Sequence, residues 1–188
     1  MPEDQGDADF STVWTSICVP IIDGEDSAQY LIDRSLMRPR SLIDLLGHCK
    51  GYAVNLGHNR IDKDDIAKGC SAFSNDLLSE LDLEIRDVYP SAENLLYAFI
   101  GSPSALTRQQ LTDTLTSNGI KPEQLAAIIK TLLWFGFIGI VWTDGSHRYI
   151  YSFHYNMKVL EGSHNQLLAS GHAQYIINPA FAPALGLT

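Results

Sequence analysis

Apolar residues return every three or four positions along most of this chain, and the breaks fall at glycine, proline and short polar runs. From Pro39 the series Leu42, Ile43, Leu45, Leu46, Cys49, Ala53 and Val54 predicts a helix. Proline suits its first turn and Gly57 its end. Gly47 and Gly51 lie inside it, where glycine costs helix stability; the pattern predicts close packing against another helix as their reason. A second stripe, Ile66, Cys70, Phe73, Leu77, Leu81 and Ile85, predicts a helix running to Pro90. Asp62 and Asp65 stand at its start as an acidic version of a capping box. Before these, "STVWTSICVPII" is a short apolar segment broken by "DGEDS". Ser27 is then placed to cap a short helix through Leu31 and Ile32.

The second half has a different rhythm. Ser91 is placed to cap "AENLLYAFIGSP", with Leu95, Leu96 and Phe99 facing inward. Thr107 and Gln110 have capping-box spacing, and that helix stops at Asn118-Gly119. Pro122 opens a further helix, with Leu125, Ile128, Ile129, Leu132 and Leu133 on one side and Gly136 as its stop. "FIGIVW" and "HRYIYSF" have strand composition, and the "TDGS" between them is a hairpin signal. Helix, turn, helix and two-stranded hairpin make a winged helix-turn-helix. Leu167, Leu168, Tyr175, Ile176, Ile177 and Phe181 are too apolar to dangle, so a last helix and an irregular tail are expected to pack back. The fold class is therefore mainly α. An acidic flexible tail covers 1–10, a helical bundle 11–90, a winged helix-turn-helix 91–160, and the C-terminal helix and tail 161–188.

Charge narrows the choice of partner. The net charge is -9, distributed unevenly. Residues 1–35 carry 8 acids against 1 base, and residues 71–90 carry 5 against 1. Residues 36–70 carry 6 bases against 4 acids, and residues 91–188 carry 5 of each. No broad basic field is present, so any contact with a polyanion falls in the two less acidic regions. The acidic start is unlike a signal peptide and no apolar run reaches the length of a membrane span, which points to the cytoplasm and to no membrane partner. Cys18, Cys49 and Cys70 are too widely spaced for a disulfide framework or a zinc knuckle, and read as buried thiols.

Catalytic patterns are missing. There is no G-x-x-x-x-G-K-[ST], no G-x-S-x-G, no H-E-x-x-H and no G-x-G-x-x-G. "FIGIVWTD" resembles a Walker B strand, but without a P-loop the hairpin reading prevails. No two histidines stand at ligand spacing, so they read as surface or hydrogen-bonding residues and no metal is expected. Asp76, Glu80, Glu84 and Asp87 follow helical spacing opposite the apolar stripe, as a solvated face does. For nucleic acid, the second helix of the motif offers Lys121, Glu123, Gln124, Ala127, Lys130 and Thr131. The hairpin tip offers Ser146, His147 and Arg148. With Arg108 this gives four cations, a thin set for phosphate contact.

Arg38 and Arg40 flank Pro39 at the start of a helix, whose N-terminal end is already positive. Something other than the helix must favour them there.

"LMRPRSLIDLLGHCKGYAVNLGHNRIDKDDIAKGCSAFSNDLLSEL" resembles the small helical lid that follows the nucleotide-binding core in bacterial P-loop ATPases of the AAA+/STAND type. "NLLYAFIGSPSALT" and "LLWFGFIGIVWTDGSHRYIYSFHYNMKVL" resemble the winged helix of the same proteins, and "INPAFAPALGL" resembles their apolar tail. The resemblance implies that Arg38 or Arg40 faces a phosphate, since forked guanidinium donors match phosphate oxygens. The core with its P-loop is missing from this chain. The arginines then serve a separate ATPase core, or they pair with acids of this chain such as Asp33, Asp44 or the 71–90 face. The expected function is a regulatory or interaction module without catalysis or cofactor. Its partner is a protein, either a separate P-loop core or a second copy of the chain. A dimeric winged-helix DNA-binding protein is the alternative.

Overall fold

The computed structural model describes residues 9–188 and, within them, every side chain but that of Ser91. The expected tail at 1–10 lies outside the described residues except for Asp9 and Phe10. The chain divides into two compact units, Met1–Phe73 and Ser74–Thr188. Among the described residues there are eight α-helices and two small antiparallel sheets, and no helix is long and apolar enough to cross a membrane.

The first unit opens with α1 (Phe10–Ile17), followed by β1 (Ile21–Ile22) and β2 (Glu25–Asp26). Asp23 and Gly24 join these strands with positive φ at both residues, as a tight hairpin turn requires. In α2 (Ser27–Asp33) the cap is Asp26, whose side chain accepts from the Gln29 amide at 2.9 Å. Ser27, expected to cap, is instead buried. Its Oγ accepts from Trp14 Nε1 at 2.8 Å and donates to the Val19 carbonyl, tying α1 to α2.

Next come α3 (Pro39–Leu56) and α4 (Lys63–Val88). On α3 the buried stripe is Leu45, Cys49 and Ala53; Ile43 and Val54 stay 69% and 64% exposed. Strict four-residue spacing selects the narrower stripe, since neighbours such as Ile43 lie about 200° round the helix from Leu45. The expectation for Gly47 and Gly51 fails: a Cβ at either would meet nothing within 4 Å. The close approach is at Gly69 of α4, which lies against Cys49. The thiols of Cys18, Cys49 and Cys70 are free and buried, and burial pushes Cys49 up to about 12 and Cys70 up to about 11.

The second unit contains β3 (Ala105–Thr107), α5 (Arg108–Ser117), α6 (Leu125–Phe135), β4 (Ile138–Val141), β5 (His147–Arg148), α7 (Met157–Ala169), β6 (Gln174–Ile177) and α8 (Ala182–Leu185). Leu95, Leu96 and Phe99 are buried as expected, but on a single 3-10 segment that follows Asn94, a residue at φ 60°. The β4–β5 hairpin forms over the "TDGS" turn, closed by the Trp142 amide on the Ser146 carbonyl at 2.8 Å.

A lone two-stranded hairpin was expected; the sheet has four strands in the order β3-β6-β4-β5, all antiparallel. The tail expected to be irregular supplies β6, which sits between β3 and β4. Tyr175, Ile176 and Ile177 are buried there, so the tail hides its apolar side chains and pairs its backbone together. β5 is correspondingly short, and Ile150–Phe153 turns into a 3-10 segment. Phe137 packs between Phe99 and Phe181 at ring distances of 5.3 and 5.0 Å, both tilted, the geometry aromatic pairs favour.

Candidate functional site

α5 and α6 carry most of the side chains expected to meet a partner. The α5 cap is the predicted box: Thr107 Oγ1 accepts from the Gln110 amide at 3.2 Å, and Gln110 Oε1 accepts from the Thr107 amide at 2.8 Å. A 3-10 turn, Pro122–Gln124, leads into α6, with the Lys121 amide donating to Gln124 Oε1 at 3.2 Å. Gly136 ends α6 in the left-handed region at φ 74°, where a side chain would be strained.

Two of the four candidate cations are closed on acids of their own unit. The Lys130 ammonium pairs with Glu161 on α7. Arg148 reaches Asp144 at 3.4 Å, donates from Nε to Ser146 Oγ at 3.3 Å, and lies 4.6 Å above the Trp142 ring. Hydrogen bonds from the Ser146 side chain and then from its amide hold the Asp144 carboxyl below its ordinary value of 3.8, with Arg148 adding to the effect. Arg108 and Lys121 are exposed and make no ion pair among the described residues. His147 is exposed on β5, opposite Val141.

Two clefts flank α6. One, about 540 Å³, lies between α5, α6 and α7. Its walls include Leu125, Ile129, Leu133 and Leu168, with Arg108, Lys130 and Glu161 among its lining. At its inner side Tyr175 and His164 share a hydrogen bond of 2.6 Å between the phenol oxygen and Nε2. Burial raises Tyr175 to about 12 and lowers His164 below 6.5, so both are uncharged at neutral pH. His164 lies inside α7. The other cleft, about 550 Å³, is lined by Val88, Ala127, Trp134, Phe135 and Met157. Trp134 is 45% and Val88 60% exposed, so this wall is apolar and open.

In the first unit, Arg38 is the cap residue of α3 and half-buried, and Arg40 is exposed on its first turn. The acid pairing expected for them is not made: among the described residues neither forms an ion pair, and Asp33 instead accepts from Gln29 Nε2 at 2.7 Å. The turn between α3 and α4 holds a cluster that the spacing of histidines alone does not reveal. His58 Nδ1 donates to Asp65 Oδ2 at 2.8 Å and lies 3.3 Å from Asp62 Oδ2. Asp62 Oδ1 accepts from the Asp65 amide at 2.9 Å, and Asp65 Oδ2 accepts from the Asp62 amide at 3.0 Å, so the predicted acidic capping box is present. Asp65 is fully buried. Burial alone would raise its pKa, but the hydrogen bonds from His58 and the Asp62 amide outweigh it and the net shift is downward. The same partnership raises His58 above 6.5. Three ligand atoms this close could face a metal ion. Their bonds to one another and the positive end of α4 already account for the arrangement.

The sign that would have revealed this cluster is a histidine four residues before the first acid of a capping box. For Tyr175 and His164, eleven residues apart, no local signal exists, because the strand that joins them is set by pairing with β3 and β4.

Residues 3–82 are similar to the family described as the FunZ-associated C-terminal helical domain, a match to less than half of the chain. No curated protein and no solved structure matches.

Proposed function

We propose that this chain is a non-catalytic interaction module that binds protein, akin to the lid and winged-helix end of AAA+/STAND-type ATPases. The observation that carries this is the state of α6. The one cation near the middle of its outer face, Lys130, is already paired with Glu161, and beside it lies an open apolar cleft bearing Trp134 and Val88. A helix that reads a DNA groove needs free polar and cationic side chains. A protein partner needs exposed aromatic and aliphatic anchors. The order β3, α5, α6, β4, β5 supports the winged-helix reading. Arg38 and Arg40, without an acid partner among the described residues, suit an incoming acidic or phosphate-bearing group. The family description of residues 3–82 supports reading the chain as a C-terminal domain that serves a larger protein, whether fused or separate.

DNA binding is the second reading, kept by Arg108 and Lys121 alone. Fluorescence anisotropy with a random-sequence duplex at low salt tests the choice. No binding is expected. Binding whose affinity falls with the logarithm of salt concentration overturns the protein-binding reading.

A further inference from the structure

The cleft between α5, α6 and α7 differs in character from the open apolar one. It is lined by exactly three ionised side chains, Arg108, Lys130 and Glu161. Lys130 and Glu161 cancel in their own ion pair, so the Arg108 guanidinium stands as one unbalanced positive charge. The remaining wall is largely aliphatic, from Leu125, Ile129, Leu133 and Leu168. At about 540 Å³ the space falls within the range of small-molecule sites, which pair apolar walls with a few fixed polar groups.

The Tyr175–His164 pair adds such a group. Their mutual hydrogen bond uses Nε2 of His164, and Nδ1 has no protein partner among the described residues. The ring is held by α7 on one side and by Tyr175, fully buried on β6, on the other. A half-buried imidazole and an exposed guanidinium thus give the cleft two polar groups among its aliphatic walls.

We propose that this cleft binds a small amphipathic carboxylate. The apolar tail lies along Leu125, Ile129 and Leu168, and the carboxylate is held by Arg108. The reading goes beyond the proposed protein contact, and Ala127, Lys130 and Met157 line both clefts. A single negative charge satisfies Arg108, whereas a dianion would exceed the one unbalanced charge available.

The test is a titration of the full chain with octanoate, followed by amide NMR, with octanamide as the uncharged control. Octanoate is expected to shift residues around Arg108, His164 and Tyr175, and octanamide to bind about tenfold more weakly. Arg108→Gln is expected to bring octanoate down to the octanamide level. Ala126→Phe, at an exposed position on the cleft wall, fills the mouth without disturbing the core and is expected to abolish both. The proposal is overturned if no shifts appear at millimolar octanoate, or if octanamide and R108Q behave as octanoate and wild type do. Octanoate binding that survives A126F overturns it too, since the anion is then on the open surface.

Discussion

Gly69 of α4 runs so close to Cys49 of α3 that a Cβ added there would lie 2.7 Å from the Cys49 amide nitrogen and 2.8 Å from its Cα. The obstacle is backbone, which cannot rotate away. Gly69→Ala is therefore expected to cost about 2–3 kcal/mol, at the upper end of overpacking effects. Gly47→Ala, on the open side of α3, is expected to stabilise by about 0.5–1 kcal/mol through better helix propensity. Urea denaturation of both variants checks the pair. Equal effects would mean that the helices do not cross where the structure places them.

His58 and His164 are expected to titrate in opposite directions. Asp65 raises His58, so its contribution is complete below the ordinary value of 6.5 and is lost as pH rises through the folded value. Burial lowers His164, so its neutral form favours the fold above 6.5, and that advantage is lost as pH falls through the folded value. Histidine NMR titration should place the two pKa values on either side of 6.5. His58→Asn should remove the loss of stability on the alkaline side only.

Asp65 is the harder residue to replace. Its carboxylate is fully buried and accepts from both His58 and the Asp62 amide, closing the first turn of α4. Asp65→Ala is expected to cost about 1–3 kcal/mol, a lost cap together with an unpaired donor. Because the folded carboxyl pKa lies below 3.8, wild type should lose this contribution as pH falls through that lower value. The variant should lack this component, so its deficit relative to wild type should shrink over the same range, as measured by thermal melts of both from neutral to acidic pH.

Tyr175→Phe removes the hydroxyl that meets His164 at 2.6 Å while leaving the ring in the core. The expected cost is about 1–3 kcal/mol, because His164 Nε2 is then left without a partner. The measurement is the denaturation midpoint at pH above the His164 titration. A change below experimental error would mean that water replaces the hydroxyl.

Glu161 and Asp144 restrain Lys130 and Arg148, though as exposed pairs they are worth under about 1 kcal/mol each in stability. Their effect should show in binding instead. The double variant E161Q/D144N is expected to bind a random duplex weakly at low salt, where wild type shows no binding. Its log–log salt slope should be about −0.9 for each phosphate engaged. No binding by the variant in anisotropy would show that the two pairs do not hold these cations back.

Local rules were readable wherever a few neighbouring residues settle the outcome. Thr107 with Gln110, Asp62 with Asp65, and the stop at Gly136 are each short-range hydrogen bonding or backbone geometry, and each forms as the spacing implies. Ser27 shows the limit of such rules. It is a good cap by type, yet Trp14 and Val19 claim its hydroxyl, and Asp26 caps one position earlier.

What the sequence by itself determined is the course of α3, α4, α5 and α6, the caps at Asp62 and Thr107, and the exposed acidic stripe of Asp76, Glu80, Glu84 and Asp87, because 3.6-residue periodicity and capping act within one turn. Only the tertiary structure decided that Gly69 rather than Gly47 or Gly51 meets a neighbouring helix, that residues 174–177 enter the sheet between β3 and β4, and that Lys130 and Arg148 close on Glu161 and Asp144. Those relationships join residues far apart in the chain. Shape and charge at the point of contact select them, and a single strand of sequence carries no record of which distant surfaces will meet.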